Sequence, residues 1–126
     1  MSKIKGKNTK PEKVLRSALF QFGFRFRIHI KELPGKPDIV LPKYRTVIFV
    51  HGCFWHQHAG CREGRIPSTN SDFWKEKLDR NTKRDATNIR QLKKLKWQVL
   101  VVWECEIEKQ FGKTVKKVVS HLNRNI

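Results

Sequence analysis

Residues 45–61 read RTVIFVHGCFWHQHAGC, a stretch that passes from a strand pattern into a cluster of ligating and aromatic side chains. RTVIFV, residues 45–50, is a nearly continuous apolar run, the pattern of a central strand covered on both faces. HGCFWHQHAGC, residues 51–61, then holds three of the chain's five histidines, two of its three cysteines and a Phe-Trp pair. A buried strand that ends in such residues predicts a site at the edge of a sheet.

Outward from this strand, the flanking segments predict the rest of the fold. DIVL, residues 38–41, precedes it across Pro42-Lys43-Tyr44, and FRFRIHI, residues 24–30, alternates like a half-buried strand with Phe24, Phe26 and Ile28 on one face. Upstream, Val14, Leu15, Ala18, Leu19 and Phe22 recur on one face of a helix expected over Lys10–Phe22, opened by the capping-box spacing Thr9-Lys10-Pro11-Glu12 and stopped at Gly23. Residues 1–9 form an expected mobile basic arm. Downstream, Asp72–Lys96 is rich in charge, with Ile89, Leu92 and Leu95 at helical spacing, which predicts one or two amphipathic helices. WQVLVVW, residues 97–103, is a second buried-strand pattern in which Trp97 and Trp103 read as core, and Val115, Val118, Val119 and Leu122 mark a closing helix. Helix, three strands, loop, helix, strand, helix is the order of an α/β (α+β) fold: a mixed sheet flanked by helices, in one domain over residues 1–126.

Charge narrows the function. Lys and Arg number 28 against 11 Asp and Glu, a net +17 with a sequence pI near 10.3, so the expected partner is a polyanion, foremost a nucleic acid. No run approaches the roughly 18 apolar residues of a spanning helix and no signal-peptide core opens the chain, so a reducing cytosol is expected. There, thiols beside histidines are more often metal ligands than halves of disulfides.

Cys53, His58 and Cys61 lie in one loop and Cys105 directly follows the last strand, a donor set suited to a closed Cys3His zinc site of structural type, unless Cys53 and Cys105 are ordinary buried thiols. His51 and His56 then remain, and Asp38 enters the neighbouring strand. A carboxylate beside a backbone carbonyl suits magnesium, and an imidazole near neutrality suits removal of a proton from water, together equipping phosphodiester hydrolysis. An Asp after Pro is equally a turn residue or strand cap, and surface histidines are common in basic proteins. Phe54 and Trp55, in a loop with little core of its own, suit either a wedge between base pairs or a satellite cluster over the loop. A zinc-stabilised DNA-binding module without catalysis, and a nuclease of another specificity on the same scaffold, are the competing readings.

LPGKPDIVLPKYRTVIFVHGCFWHQHAGC, with FWKEKLDRNTKRD and WQVLVVWECE further on, resembles the very-short-patch-repair (Vsr) DNA mismatch endonucleases over nearly the whole chain. The resemblance implies a restriction-endonuclease-like fold. It also implies a magnesium-dependent nick in one strand 5′ of the T of a T·G mismatch, the lesion left when 5-methylcytosine deaminates. It places Asp38 at the magnesium-binding Asp, with the backbone carbonyl of Val50 as companion, and His56 at the water-activating histidine. His51 and Asp85 become a supporting pair, Glu12 a nearby acid of the first helix, and Cys53, His58, Cys61 and Cys105 the zinc ligands. Phe54, Trp55 and Trp74 match aromatics that enter the base stack, and Met1 matches the minor-groove wedge of the arm. Three positions depart from the family pattern: Val50 stands where a Thr is typical, the Ala59-Gly60 spacer is one residue longer, and Met1 is the first residue, where a free terminus is expected to wedge poorly. A monomeric, bacterial, cytoplasmic and nucleoid-associated protein acting on double-stranded DNA is the accompanying expectation.

Overall fold

The computed structural model describes residues 10–28, 30–58 and 66–124. The basic arm with Met1, the Thr9 cap and Cys61 lie outside the described residues. Helix α1 (Lys10–Gln21) is followed by β1 (Arg27–Ile28), β2 (Ile39–Leu41), a 3-10 turn at Pro42–Tyr44 and β3 (Thr46–His51). Then come α2 (Ser71–Lys94), β4 (Gln98–Trp103), α3 (Glu104–Lys109) and α4 (Phe111–Arg124). The charged stretch is thus one long helix, and α3 is an element that the apolar periodicity did not announce.

The strands order β1-β2-β3-β4; the first two pairings are antiparallel, while β3 and β4 run parallel in register from Thr46 opposite Gln98 to His51 opposite Trp103. A parallel partner cannot be reached through a tight turn, and α2 lies in the long crossover that supplies the distance. Alternation along the strands sorts two apolar layers. Ile48 with Val102 and Leu100 joins Leu15, Leu19, Ile107, Val115, Val118 and Leu122 from α1, α3 and α4 on one face. Val47, Phe49, Val99 and Val101 pack with Leu92 and Ile89 of α2 on the other. Both faces of β3 are therefore covered, as its continuous apolar run requires.

Helix α1 ends one residue earlier than its periodicity suggests. Gly23 at φ +95° donates to Phe20 O and Phe24 donates to Leu19 O, the paired bonds of a Schellman cap, which turns Phe24 into the core beside Leu19. Phe22, expected on the buried face, is instead 62% exposed. Phe26 packs against the core, but Ile28 is 40% exposed because β1 is a two-residue edge strand with both residues at the surface. Leu95 is also exposed, since α2 stops at Lys94 and Lys96 at φ +72° turns the chain back into β4.

No helix among the described residues is long and apolar enough to cross a membrane. Part of the charge on α2 is paired locally, in exposed Glu76–Arg80 and Asp79–Lys83 pairs at 3.6 and 3.0 Å, which contribute little to stability.

Candidate functional site

The site forms where β3 and β4 end together and β2 begins. Because β2 runs antiparallel to β3, Asp38, just before it, lies beside the exit of β3. Its N–H donates to Ile48 O at 3.1 Å and its Oδ2 accepts the Val50 N–H at 2.6 Å. Burial pushes the Asp38 carboxyl up to about 7, opposed by the Val50 hydrogen bond and reinforced by Glu12, with smaller opposing contributions from His56 and Arg16. Glu12 is only 2% exposed and forms an ion pair with Arg16 at 3.3 Å. The two acids thus come from distant parts of the chain into one desolvated region.

His51 shares with Phe49 the face of β3 that α2 covers, and Asp85 lies one turn before Ile89 on α2. After Gly52 the backbone turns sharply, with His56 N donating to Gly52 O at 3.1 Å, and brings His56 back over His51. The two imidazoles stack at 3.8 Å with an interplanar angle of 6°. His56 Nδ1 lies 2.5 Å from Asp85 Oδ2; a carboxylate only accepts, so Nδ1 carries the hydrogen and Nε2 is left as the basic nitrogen. Asp85 lies within 4.8 Å of His51 as well, but its hydrogen-bond partner is His56, and His51 serves as the stacking platform. Burial pushes His51 down to about 4, with the neighbouring His56 acting in the same direction and Asp85 against it, so its ring is neutral near pH 7. A cleft of about 250 Å³ opens here, lined by Asp38, His51, His56 and Asp85 together with Gly35, Lys36 and Asn88.

A second group adjoins it. Cys53 Sγ and Cys105 Sγ lie 3.7 and 3.4 Å from His58 Nδ1. Bonds of 2.3 Å to sulfur and about 2.05 Å to nitrogen in a tetrahedron give a sulfur-to-nitrogen edge of about 3.6 Å. The spacing of the three donors therefore fits a zinc-sized ion. His58 N donates to Cys53 O at 3.0 Å, holding the loop closed. Trp103 N donates to Glu106 Oε1 at 3.0 Å, fixing the turn that presents Cys105.

Trp103 joins the two groups rather than filling the core. Its ring stacks on His58 at 4.2 Å and 7°, and meets His51 edge-on at 5.2 Å and 73°. The strand pattern could show that Trp103 was partly buried but not that histidines of both groups would be its neighbours. Trp97, by contrast, packs against the α2-side core and carries the Arg45 guanidinium over its face at 4.2 Å.

Phe54, Trp55 and Trp74 form one cluster with edge-to-face centroid distances of 5.1, 5.4 and 5.9 Å, and the exposed Phe73 extends it at 5.2 Å from Trp74. These rings are partly exposed at the start of α2, beside the His51–His56 turn.

Residues 1–62 match the family described as DNA mismatch endonuclease Vsr. A type II nicking enzyme of Neisseria meningitidis, V.NmeAIP, is 53% identical over 108 residues, covering 86% of this chain and 76% of that protein. Another, V.XorIIP of Xanthomonas oryzae, is 50% identical over 107 residues, covering 85% and 78%. The DNA mismatch endonuclease Vsr of Escherichia coli is 46% identical over 107 residues, covering 85% and 68%. The chain belongs to the Vsr family. Like its Vsr relatives it is a DNA endonuclease, and the reading as a DNA-binding module without catalysis is set aside.

Within the Vsr frame, three neighbours of the site escaped the sequence reading. Glu104 is half-buried with its carboxyl raised, first by burial and then by Glu108, while His56 opposes; its oxygens would lie 3.5 Å from a Cβ placed on Gly52. Arg16 compensates Glu12, and Lys36 enters the cleft lining. Lys36 could have been noticed, since it stands two residues before Asp38; Glu104 and Arg16 carry no signal that separates them from the many other charges in this chain.

Proposed function

We propose that this chain nicks one strand of duplex DNA 5′ of the T of a T·G mismatch, the product of 5-methylcytosine deamination, in very short patch repair. The observation that carries the reading is the His56–Asp85 pair stacked on a neutral His51, in one cleft with the half-buried Asp38. Membership of the Vsr family and 46% identity to the E. coli mismatch endonuclease support the substrate. We read the mixed sheet with helices on both faces as restriction-endonuclease-like and the active unit as a monomer, since a single-strand nick requires one centre.

Asp38 and the backbone carbonyl of Val50 are the hard oxygen donors that would hold Mg2+, and the donor chemistry fits: Asp38 is a desolvated acid beside Glu12, in a place that disfavours a lone negative charge and favours it beside a cation. When bound, the ion would neutralise charge developing on the phosphate. The chain's own groups do the rest. Asp85 fixes the tautomer and plane of His56 so that Nε2 accepts a proton from the attacking water. As the new P–O bond forms, the opposite P–O bond breaks and the leaving oxygen departs with the electron pair. Stacking on His51 keeps the imidazole plane fixed without adding a second charge near pH 7. Cys53, His58 and Cys105, with Cys61 as the fourth ligand, would hold a structural Zn2+ that ties the loop to the start of α3. Phe54, Trp55 and Trp74 would enter the base stack, where a weakened mismatch is the easiest step to open.

Nicking assays on T·G, other mismatched, methylated and fully paired duplexes, with and without Mg2+, test the reading. T·G-selective, cation-dependent nicking that is lost in Asp38→Ala and His56→Ala, with duplex binding retained, is the expected result. Equal cutting of paired DNA would instead favour a nuclease of different specificity, a reading that the nicking-enzyme names of several relatives keep in play.

A further inference from the structure

Lys36 stands in the turn that leads into Asp38. Its backbone has φ +48°, directly after Gly35 at φ +76°, and its N–H donates to Leu33 O at 3.1 Å. Gly or Asn adopts this left-handed conformation readily; a lysine there is strained, and strain of this kind gathers at functional sites. The turn packs closely against α2, since a Cβ on Gly35 would meet the Asn88 side chain at 3.0 Å. It therefore holds Lys36 at the cleft that contains Asp38, His56 and Asp85.

Among the described residues that line this cleft, Lys36 is the one lysine or arginine, and the ion pairs found among the described residues do not involve it. Asp85 is engaged by His56 and Asp38 by the Val50 amide. The ammonium is thus left for an anion that enters from outside. The nick reaction brings one: a phosphodiester, whose non-bridging oxygens gain charge as water adds.

We propose that the Lys36 ammonium binds a non-bridging oxygen of the phosphodiester that is cut. The proposal rests on the nicking function above and adds to it a substrate-touching residue from a turn rather than from the histidine loop. Binding strengthens as the phosphate gains charge, so Lys36 acts on the rate as well as on affinity.

Lys36→Gly and Lys36→Asn remove the charge while fitting the left-handed backbone, and Lys36→Arg keeps the charge. Single-turnover nicking of a T·G duplex is expected to slow by about 10- to 100-fold in the Gly and Asn variants, the worth of one hydrogen bond to a charged group. Their Tm should be unchanged or raised, and Arg should restore most of the rate. Anisotropy titrations without divalent cation provide a second readout: the affinity advantage of the unchanged chain over Lys36→Asn should vanish when a neutral methylphosphonate replaces the diester 5′ of the mismatched T. Gly and Asn variants that nick as fast as the unchanged chain would overturn the proposal. So would an affinity loss of the same size on charged and neutral linkages, which puts the ammonium elsewhere on the backbone. Failure of the unchanged chain to nick T·G DNA would overturn the functional reading and this proposal together, whereas nicking by the unchanged chain with equal rates in the variants would remove this proposal alone.

Discussion

The Cys53–His58–Cys105 group and the His51–His56–Asp85 group both touch the Trp103 ring, and each gathers its atoms within 4.8 Å. The first is soft and turned in on itself: two thiols converge on one ring nitrogen across the start of α3. The second is hard and opens onto a cleft, with a carboxylate, a hydrogen-bonded imidazole and a ring kept neutral by burial. Burial acts differently on the two. In the thiol group it covers Cys53, one of three converging donors; beside the cleft it holds Asp38 and His51 far from their ordinary protonation behaviour, which suits chemistry rather than scaffolding.

The largest effect is expected at Asp38. Asp38→Asn is expected to lower nicking by about 1,000-fold or more, a loss of roughly 4 kcal/mol of transition-state stabilisation, while making the cation-free protein more stable. The sign follows from the raised carboxyl. Between pH 3.8 and about 7 the unfolded chain has released the proton that the folded chain still holds, so native stability falls as pH rises through that window. Asn keeps an acceptor for the Val50 N–H and avoids the penalty, for a gain of about 2 kcal/mol at pH 8, after allowance for solvent screening of a partly accessible group, and none below pH 4. Thermal melts with chelator at the two pH values check this, and a variant less stable than the unchanged chain at pH 8 would contradict it.

Cys105→Ser tests the other group. Metal content measured on the purified protein should drop, and Tm should fall by about 10 °C or more, a loss of roughly 3 kcal/mol. An unchanged Tm in a variant that has lost its metal would make the ion incidental.

Asp85→Asn keeps the shape beside His56 but removes the negative charge. Nicking is expected to slow about 100-fold, with duplex affinity within two-fold of the unchanged chain, because the substitution acts on the proton acceptor and not on the DNA surface. Comparable losses of affinity and rate would move Asp85 from catalysis to binding.

The smallest effect is expected at the shared ring. Trp103→Leu should cost about 10-fold in nicking and a few degrees of Tm together, whereas Trp103→Phe, which retains a stacking face for His58, should recover most of both. An effect on one group alone would show that the ring belongs to that group.

The apolar periodicities of this chain determined its layers. A run covered on both faces at residues 45–50 required a central strand, and the spacing of Val115, Val118 and Leu122 required a helix with one buried stripe, because burial of alternating or 3.6-spaced side chains is a local property of the backbone. The density of His and Cys after that strand likewise marked where chemistry would gather. What the sequence could not determine is which side chains meet. That Asp85 bonds to His56, that His51 and His56 stack, that Trp103 stands between two clusters and that Lys36 reaches the cleft all depend on the parallel pairing of β3 with β4 and on where α2 crosses the sheet. Such contacts join residues as many as 52 positions apart, His51 to Trp103 among them, and local periodicity carries no information over that span; only the packed fold brings their atoms within reach.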